Sequence, residues 1–123
     1  MKPEKITEVE VLAMCSQLGF DVSVIDSKAT YSTNLERYAK SKSAPSGFPD
    51  ITGNDDRGMA VFIELKAKGK LSTLRPAQKI FLLRKIQAGC FAVVVDSADL
   101  LFDLYSQWRK DPQKFLSEYP SNF

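Results

Sequence analysis

Asp50, Glu64 and Lys66 have the types and spacing for phosphoryl chemistry, and all three fall in one stretch, Gly47 to Lys66, GFPDITGNDDRGMAVFIELK. Pro49-Asp50 leads into a short apolar run, Ile51-Thr52-Gly53. A polar turn spans Asn54 to Gly58, and an alternating run follows from Met59 to Lys66. Two apolar runs joined by an Asp/Asn/Gly turn predict a β-hairpin. In its second strand, period 2 places Ala60, Phe62, Glu64 and Lys66 on one face and Val61, Ile63 and Leu65 on the other. The hairpin would return Asp50 to the end of the sheet that carries Glu64 and Lys66. Two adjacent carboxylates repel, and a hard divalent cation relieves that repulsion. Mg²⁺ asks for only one or two of them beside water and substrate phosphate. A neighbouring lysine orients or deprotonates an attacking water, or offsets charge in the transition state. The set therefore suits metal-assisted hydrolysis of a phosphodiester. The competing reading is a surface hairpin with an ordinary Glu–Lys pair on its outer face.

Several elements must hold these residues. Ile6 to Leu18 reads as an amphipathic helix ending at Gly19, with Thr7 and Glu10 as a capping box. At 100° per residue, Val11, Leu12, Cys15 and Leu18 form its apolar stripe. Glu8 falls inside that stripe and Glu10 nearly opposite. A carboxylate on the core side needs a partner, such as a metal or Lys66. Otherwise Glu8 is a first-turn acid complementing the helix dipole. Phe20 to Ile25 reads as a first strand. Asp26 to Ser46 is a long polar segment, with a short helix over Leu35 to Lys42 and with Arg37, Lys40 and Lys42 as candidate phosphate contacts. A surface loop without function is the alternative there.

After the hairpin comes a basic, glycine-containing loop, Ala67 to Leu74, whose Ser72 or Thr73 would cap the next helix or contact phosphate. That helix should run from about Arg75 to Ala88, with Pro76 in its first turn and Gly89 at its end. Ile80, Phe81, Leu83 and Ile86 are its expected core face. Gln78, in the first turn, is placed to reach a bound water or a phosphate, or is an ordinary polar helix residue. Phe91 to Val95 is continuously apolar, hence a strand buried on both faces. Ser97 starts a last helix through about Lys110, with Leu100, Leu101, Leu104 and Trp108 on its stripe. Pro112 interrupts it and Lys114 to Tyr119 forms a short final turn. Trp108, Phe115, Tyr119 and Phe123 read as core or dimer packing rather than as a platform for bases.

Pro49-Asp50 followed by Glu64-Leu65-Lys66 resembles the PD-(D/E)xK nuclease motif. The surroundings resemble its VRR-NUC branch, the virus-type replication-repair nucleases. The matching stretches are Gly47 to Asp50, Glu64 to Lys66, Gly69, Leu74 to Gln78, and Phe91 to Val95, within about Glu8 to Asp99. Leu74-Arg75-Pro76-Ala77-Gln78 departs from the pattern, with arginine where the branch usually has serine. The resemblance implies a restriction-endonuclease-like core. It implies Mg²⁺ or Mn²⁺ held by Asp50, Glu64 and the Leu65 carbonyl, with Glu8 as the helical acid binding directly or through water. Lys66 would activate the water and Gln78 would assist. It also implies a homodimer cutting branched DNA such as four-way (Holliday) junctions. An end- or flap-processing nuclease, a nickase, and a non-catalytic DNA-binding module on the same fold are the alternatives.

Composition bounds the rest. The chain has 123 residues, 44% hydrophobic and 26% charged, which fits a single globular domain. There is no histidine, which removes histidine bases and most zinc sites. Cys15 and Cys90 are unclustered in apolar segments, as in reduced core residues of a cytoplasmic protein, and the VRR-NUC resemblance implies that the chain could be phage-encoded. No apolar run reaches membrane-spanning length and no signal-peptide core is present, so no membrane partner is expected. The net charge of +2 is unevenly spread: Val61 to Gly89 holds seven basic residues against one acid. Lys68, Lys70, Ser72, Arg75 and Lys79 are the expected DNA-facing set, although a basic stripe by itself is more often a solvated face. The expected fold is α/β: an N-terminal helix, three strands as a meander, a crossover helix, a fourth strand and a C-terminal helix, giving a mixed four-stranded sheet flanked by helices.

Overall fold

The structure, a computed structural model, describes residues 1–25 and 47–123. The proposed helix over Leu35 to Lys42 and the contacts of Arg37, Lys40 and Lys42 lie outside the described residues. The elements run α1 (Pro3–Gln17), β1 (Asp21–Val24), β2 (Ile51–Asn54), β3 (Ala60–Leu65), α2 (Pro76–Gln87), β4 (Phe91–Val95), α3 (Ala98–Lys110) and α4 (Pro112–Glu118). Short 3₁₀ turns lie at Leu71–Thr73 and Tyr119–Asn122. The protein is α/β, with one mixed sheet ordered β1-β2-β3-β4. β1, β2 and β3 form the antiparallel meander, and α2 carries the chain over so that β4 lies parallel to β3.

The sheet has two unlike faces. Val61, Ile63 and Leu65 of β3 and Phe91, Val93 and Val95 of β4 are buried on one side, against α3. There the Phe91 ring meets Tyr105 and Trp108, and α1 lies alongside α3 through Val11 and Cys15. α2 covers the other side, with Phe81 against Phe62 and Gln78 over Glu64. β4 is an edge strand, and its Val94 N–H donates to the Tyr119 hydroxyl at 3.0 Å, so the C-terminal segment closes that edge.

Three local expectations give way. α1 begins at Pro3, a turn earlier than the capping box placed it, because proline's fixed φ already suits a first helical position. Thr7 is therefore inside the helix, its hydroxyl donating to the Pro3 carbonyl, and it caps nothing. Ser72 and Thr73 belong to the 3₁₀ turn, and Arg75 is the residue that precedes α2. Along α2, Gln78, Phe81, Leu82 and Ile86 are buried while Ile80 is 60% exposed. The buried stripe follows the sheet face that α2 covers, at spacings of three and four, and Ile80 falls off it.

At the far end of the hairpin, Asp55 is buried without help from any apolar pattern. Its Oδ1 accepts from the Arg57 and Met59 N–H groups, and its Oδ2 accepts from the Tyr105 hydroxyl at 2.9 Å. These bonds fasten the turn to α3. Burial pushes the Asp55 carboxyl up, but the Met59, Arg57 and Tyr105 hydrogen bonds and the Arg57 charge together hold it below its ordinary value. A carboxyl lowered in the folded state stabilises above its unfolded pKa, and that contribution is lost as pH falls through the folded one. Asp55→Asn should cost about 1–2 kcal/mol at pH 7 and lose part of the acid-induced fall in stability below about pH 4, both readable from denaturant titrations at several pH values.

Candidate active site

The hairpin and α2 bring four of the predicted side chains together. Asp50 stands just before β2, and its Oδ2 accepts from the Leu65 N–H at 2.9 Å. The N–H and C=O of a strand residue point to the same edge, so the Leu65 carbonyl also faces Asp50. Glu64 and Lys66 share one face of β3 by period 2, with Lys66 Nζ 3.9 Å from Glu64 Oε2. Lys66 is one residue past β3 but is still tied to the sheet, since its N–H donates to the Val95 carbonyl. Gln78 bridges the two: its amide nitrogen donates to Glu64 Oε2 at 3.0 Å, and its amide oxygen accepts from Lys66 Nζ at 3.1 Å. That oxygen also accepts from the Arg75 N–H at 2.9 Å. Two donors on the oxygen and a carboxylate on the nitrogen fix which way round the amide stands.

Glu64 is 3% exposed, and its second oxygen, Oε1, has no hydrogen-bond partner among the described residues. Burial above all, then the charge and close approach of the Asp50 carboxyl, push its pKa up to about 9, against the pull of Lys66. An orphaned oxygen on a buried carboxyl beside a second carboxyl is the arrangement a cation would satisfy. Among the described residues no three His, Cys, Asp or Glu side chains form a group that could hold a metal ion. A cation here would thus rest on two carboxylates, a backbone oxygen and water, a donor set that suits Mg²⁺ or Mn²⁺ and not a closed zinc site.

The remaining predicted residues lie around this centre. Glu8 pairs with Lys5 on its own helix, so the partner foreseen for it in the metal or Lys66 is met locally. The α1 acid whose charge acts on Glu64 is Glu4. Lys68, Lys70, Ser72 and Arg75 are exposed and Lys79 is half-buried, all on the loop and first turn that follow Lys66. Cys15 is buried, with burial pushing its thiol up to about 11, and both cysteines are free.

Sequence reasoning missed Gly47 as a site residue. It has φ +82°, and a Cβ on it would lie 2.3 Å from the Ala77 carbonyl oxygen and 2.7 Å from the Gln78 nitrogen. The backbone of the Pro-Asp loop is thereby pressed against the first turn of α2, and the next residue, Phe48, sets its ring against Phe81, tilted by 60° with centroids 5.1 Å apart. The contact ties the loop that leads to Asp50 to the helix turn that carries Gln78. The only signal in the sequence was the glycine two residues before Pro49. Gly47→Ala should push the loop off α2, cost about 1–3 kcal/mol and lower any metal-dependent turnover by about 10²-fold. The thermal stabilisation produced by Mg²⁺ should shrink with it, which a loss of stability alone would not cause.

No helix among the described residues is long and apolar enough to cross a membrane. No protein-family model, curated protein or solved structure matches the chain.

Proposed function

We propose that this protein is a Mg²⁺- or Mn²⁺-dependent nuclease that hydrolyses DNA phosphodiesters on a restriction-endonuclease-like core of the VRR-NUC kind. The observation that carries this reading is the buried Glu64 carboxyl, with one oxygen unpartnered, beside Asp50 and in reach of Lys66. Asp50, Glu64 and the Leu65 carbonyl would hold the cation, with Glu8 or Glu4 joining through water. When bound, the cation would supply charge for the scissile phosphate and acidify water. The chain's own part is positional. The Leu65 N–H orients Asp50, Gln78 orients Glu64 and Lys66 against each other, and the Lys66 ammonium stands where it can hold a nucleophilic water or offset charge on the phosphate oxygens. The exposed lysines after Lys66 would take the flanking phosphates. Preference for branched DNA and action as a homodimer, one site per strand, follow from the resemblance alone.

The test is cleavage of a labelled panel, comprising a four-way junction, a flap, a linear duplex and single-stranded DNA, with Mg²⁺, with Mn²⁺ and with a chelator. Metal-dependent cutting is expected, and the preferred member separates a junction-cutting enzyme from an end- or flap-processing one. Duplex binding with no cutting of any member would leave a DNA-binding module as the better account.

A further inference from the structure

Along β4, next to the strand that carries Glu64, lies a cleft of about 500 Å³ that the proposed chemistry does not use. Its walls include Val94, Leu100, Tyr119 and Phe123, and Ser72 and Lys79 stand in its lining as well. Val94 is the ladder partner of Glu64 one strand spacing away, about 4.8 Å, so the cleft adjoins the position of Glu64 on β3, with Asp50 on the far side of that strand. Lys79 follows Gln78 directly, and Ser72 lies on the loop leading away from Lys66. The volume is that of a small-molecule site. The lining is mostly aliphatic and aromatic, with one cation, Lys79, and the hydroxyls of Ser72 and Tyr119, the latter held by the Val94 N–H. Phe123, half-buried, stands edge-on to Tyr119 at 5.2 Å.

We infer that this cleft seats an unstacked nucleobase of the bound strand, its apolar walls against the base and Lys79 and Ser72 against the adjoining phosphate. This inference rests on the nuclease reading and deepens it. Three features favour that occupant over an aliphatic one: a wall residue, Val94, paired across the sheet with Glu64; a cation, Lys79, in a largely apolar lining; and an aromatic ring, Phe123, in that same lining. A base reaches such a cleft only from a strand that is already unpaired, or at the cost of unpairing it. The cleft would therefore favour flaps, junctions and single strands over continuous duplex.

The experiment is titration of the metal-free protein with thymidine 5′-monophosphate, followed by amide chemical shifts. Inorganic phosphate and octanoate serve as comparison probes. The expected result is saturable binding centred on Val94, Leu100 and Phe123, weakened at least about fivefold in Leu100→Trp, which fills the cleft, and in Lys79→Glu, as loss of stacking and of one charge contact predicts. Phe123→Ala, at a half-buried terminal position, provides the same check with little risk to folding. Absence of shifts at the cleft, an equal response to phosphate alone, tighter binding of octanoate, or indifference to all three variants would overturn it. The titration needs neither metal nor turnover, so its failure and a failure of the cleavage assay are distinguishable.

Discussion

Lys66→Ala should cleave its best substrate about 10²–10³-fold more slowly than the parent chain under saturating Mg²⁺. The size of the loss follows from where the ammonium stands. Its side chain is 12% exposed, 3.9 Å from Glu64 Oε2, and hydrogen-bonded to the Gln78 amide oxygen. Gln78 should keep its orientation in the variant, because the Arg75 N–H still donates to its oxygen. Asp50 and Leu65 are untouched. The effect should therefore appear in the single-turnover rate, with substrate affinity nearly unchanged. Equal single-turnover rates for the two proteins would remove Lys66 from the reaction.

Glu64→Gln should stabilise the protein in the absence of metal, and the gain should grow with pH. Burial and the neighbouring Asp50 raise the Glu64 carboxyl to about 9 in the folded state, far above the ordinary carboxylate range. A group raised on folding binds more protons folded than unfolded, so stability falls as pH rises through the interval between the two values. Below about pH 4 both states hold the proton and the substitution should be neutral. By pH 7 to 8 the gain should be on the order of 3 kcal/mol, since each tenfold difference in proton affinity between the folded and unfolded chain corresponds to about 1.4 kcal/mol. Glutamine can still accept from Gln78 and can donate towards Asp50, so no hydrogen bond is lost. Mg²⁺ should close most of that gap. The parent chain should gain about 2.7 kcal/mol at a hundredfold excess over the dissociation constant, while the variant gains little. Denaturant midpoints at pH 4 and pH 8, with and without Mg²⁺, decide the matter. A variant less stable than the parent at pH 8 without metal would mean that Glu64 serves the fold.

Much of this arrangement was legible in the residues. Alternation over Ala60 to Lys66 assigned the two faces of β3, and the unbroken run Phe91 to Val95 marked a strand buried on both sides. Pro76 and Gly89 bracketed α2. Those signals are local, and local chemistry answers them. What was not legible depends on three-dimensional neighbours. Which side of α2 faces the sheet is decided by the sheet, so Leu82 takes the buried place expected for Ile80. Asp55 looked like one more polar turn residue, because its partner Tyr105 is 50 positions away in the chain. Glu64 could be paired with Lys66 by counting, but its burial follows from α2 lying over it, which no periodicity encodes. Gly47 acts through the absence of an atom, and only the nearness of Ala77 gives that absence meaning.

The phenol of Tyr119 on Val94 has a consequence for how the molecule behaves among its own copies. A parallel edge strand as apolar as β4 is a template: each outward N–H and C=O invites a fifth strand from another chain. Here one hydroxyl takes the outward Val94 donor and the aromatic C-terminal turn shields the strand around it. The last residues of the chain thus act as a gatekeeper for solubility. Changes to them would surface first as self-association in concentrated solution, in a protein whose carboxylates and lysine still stood in their places.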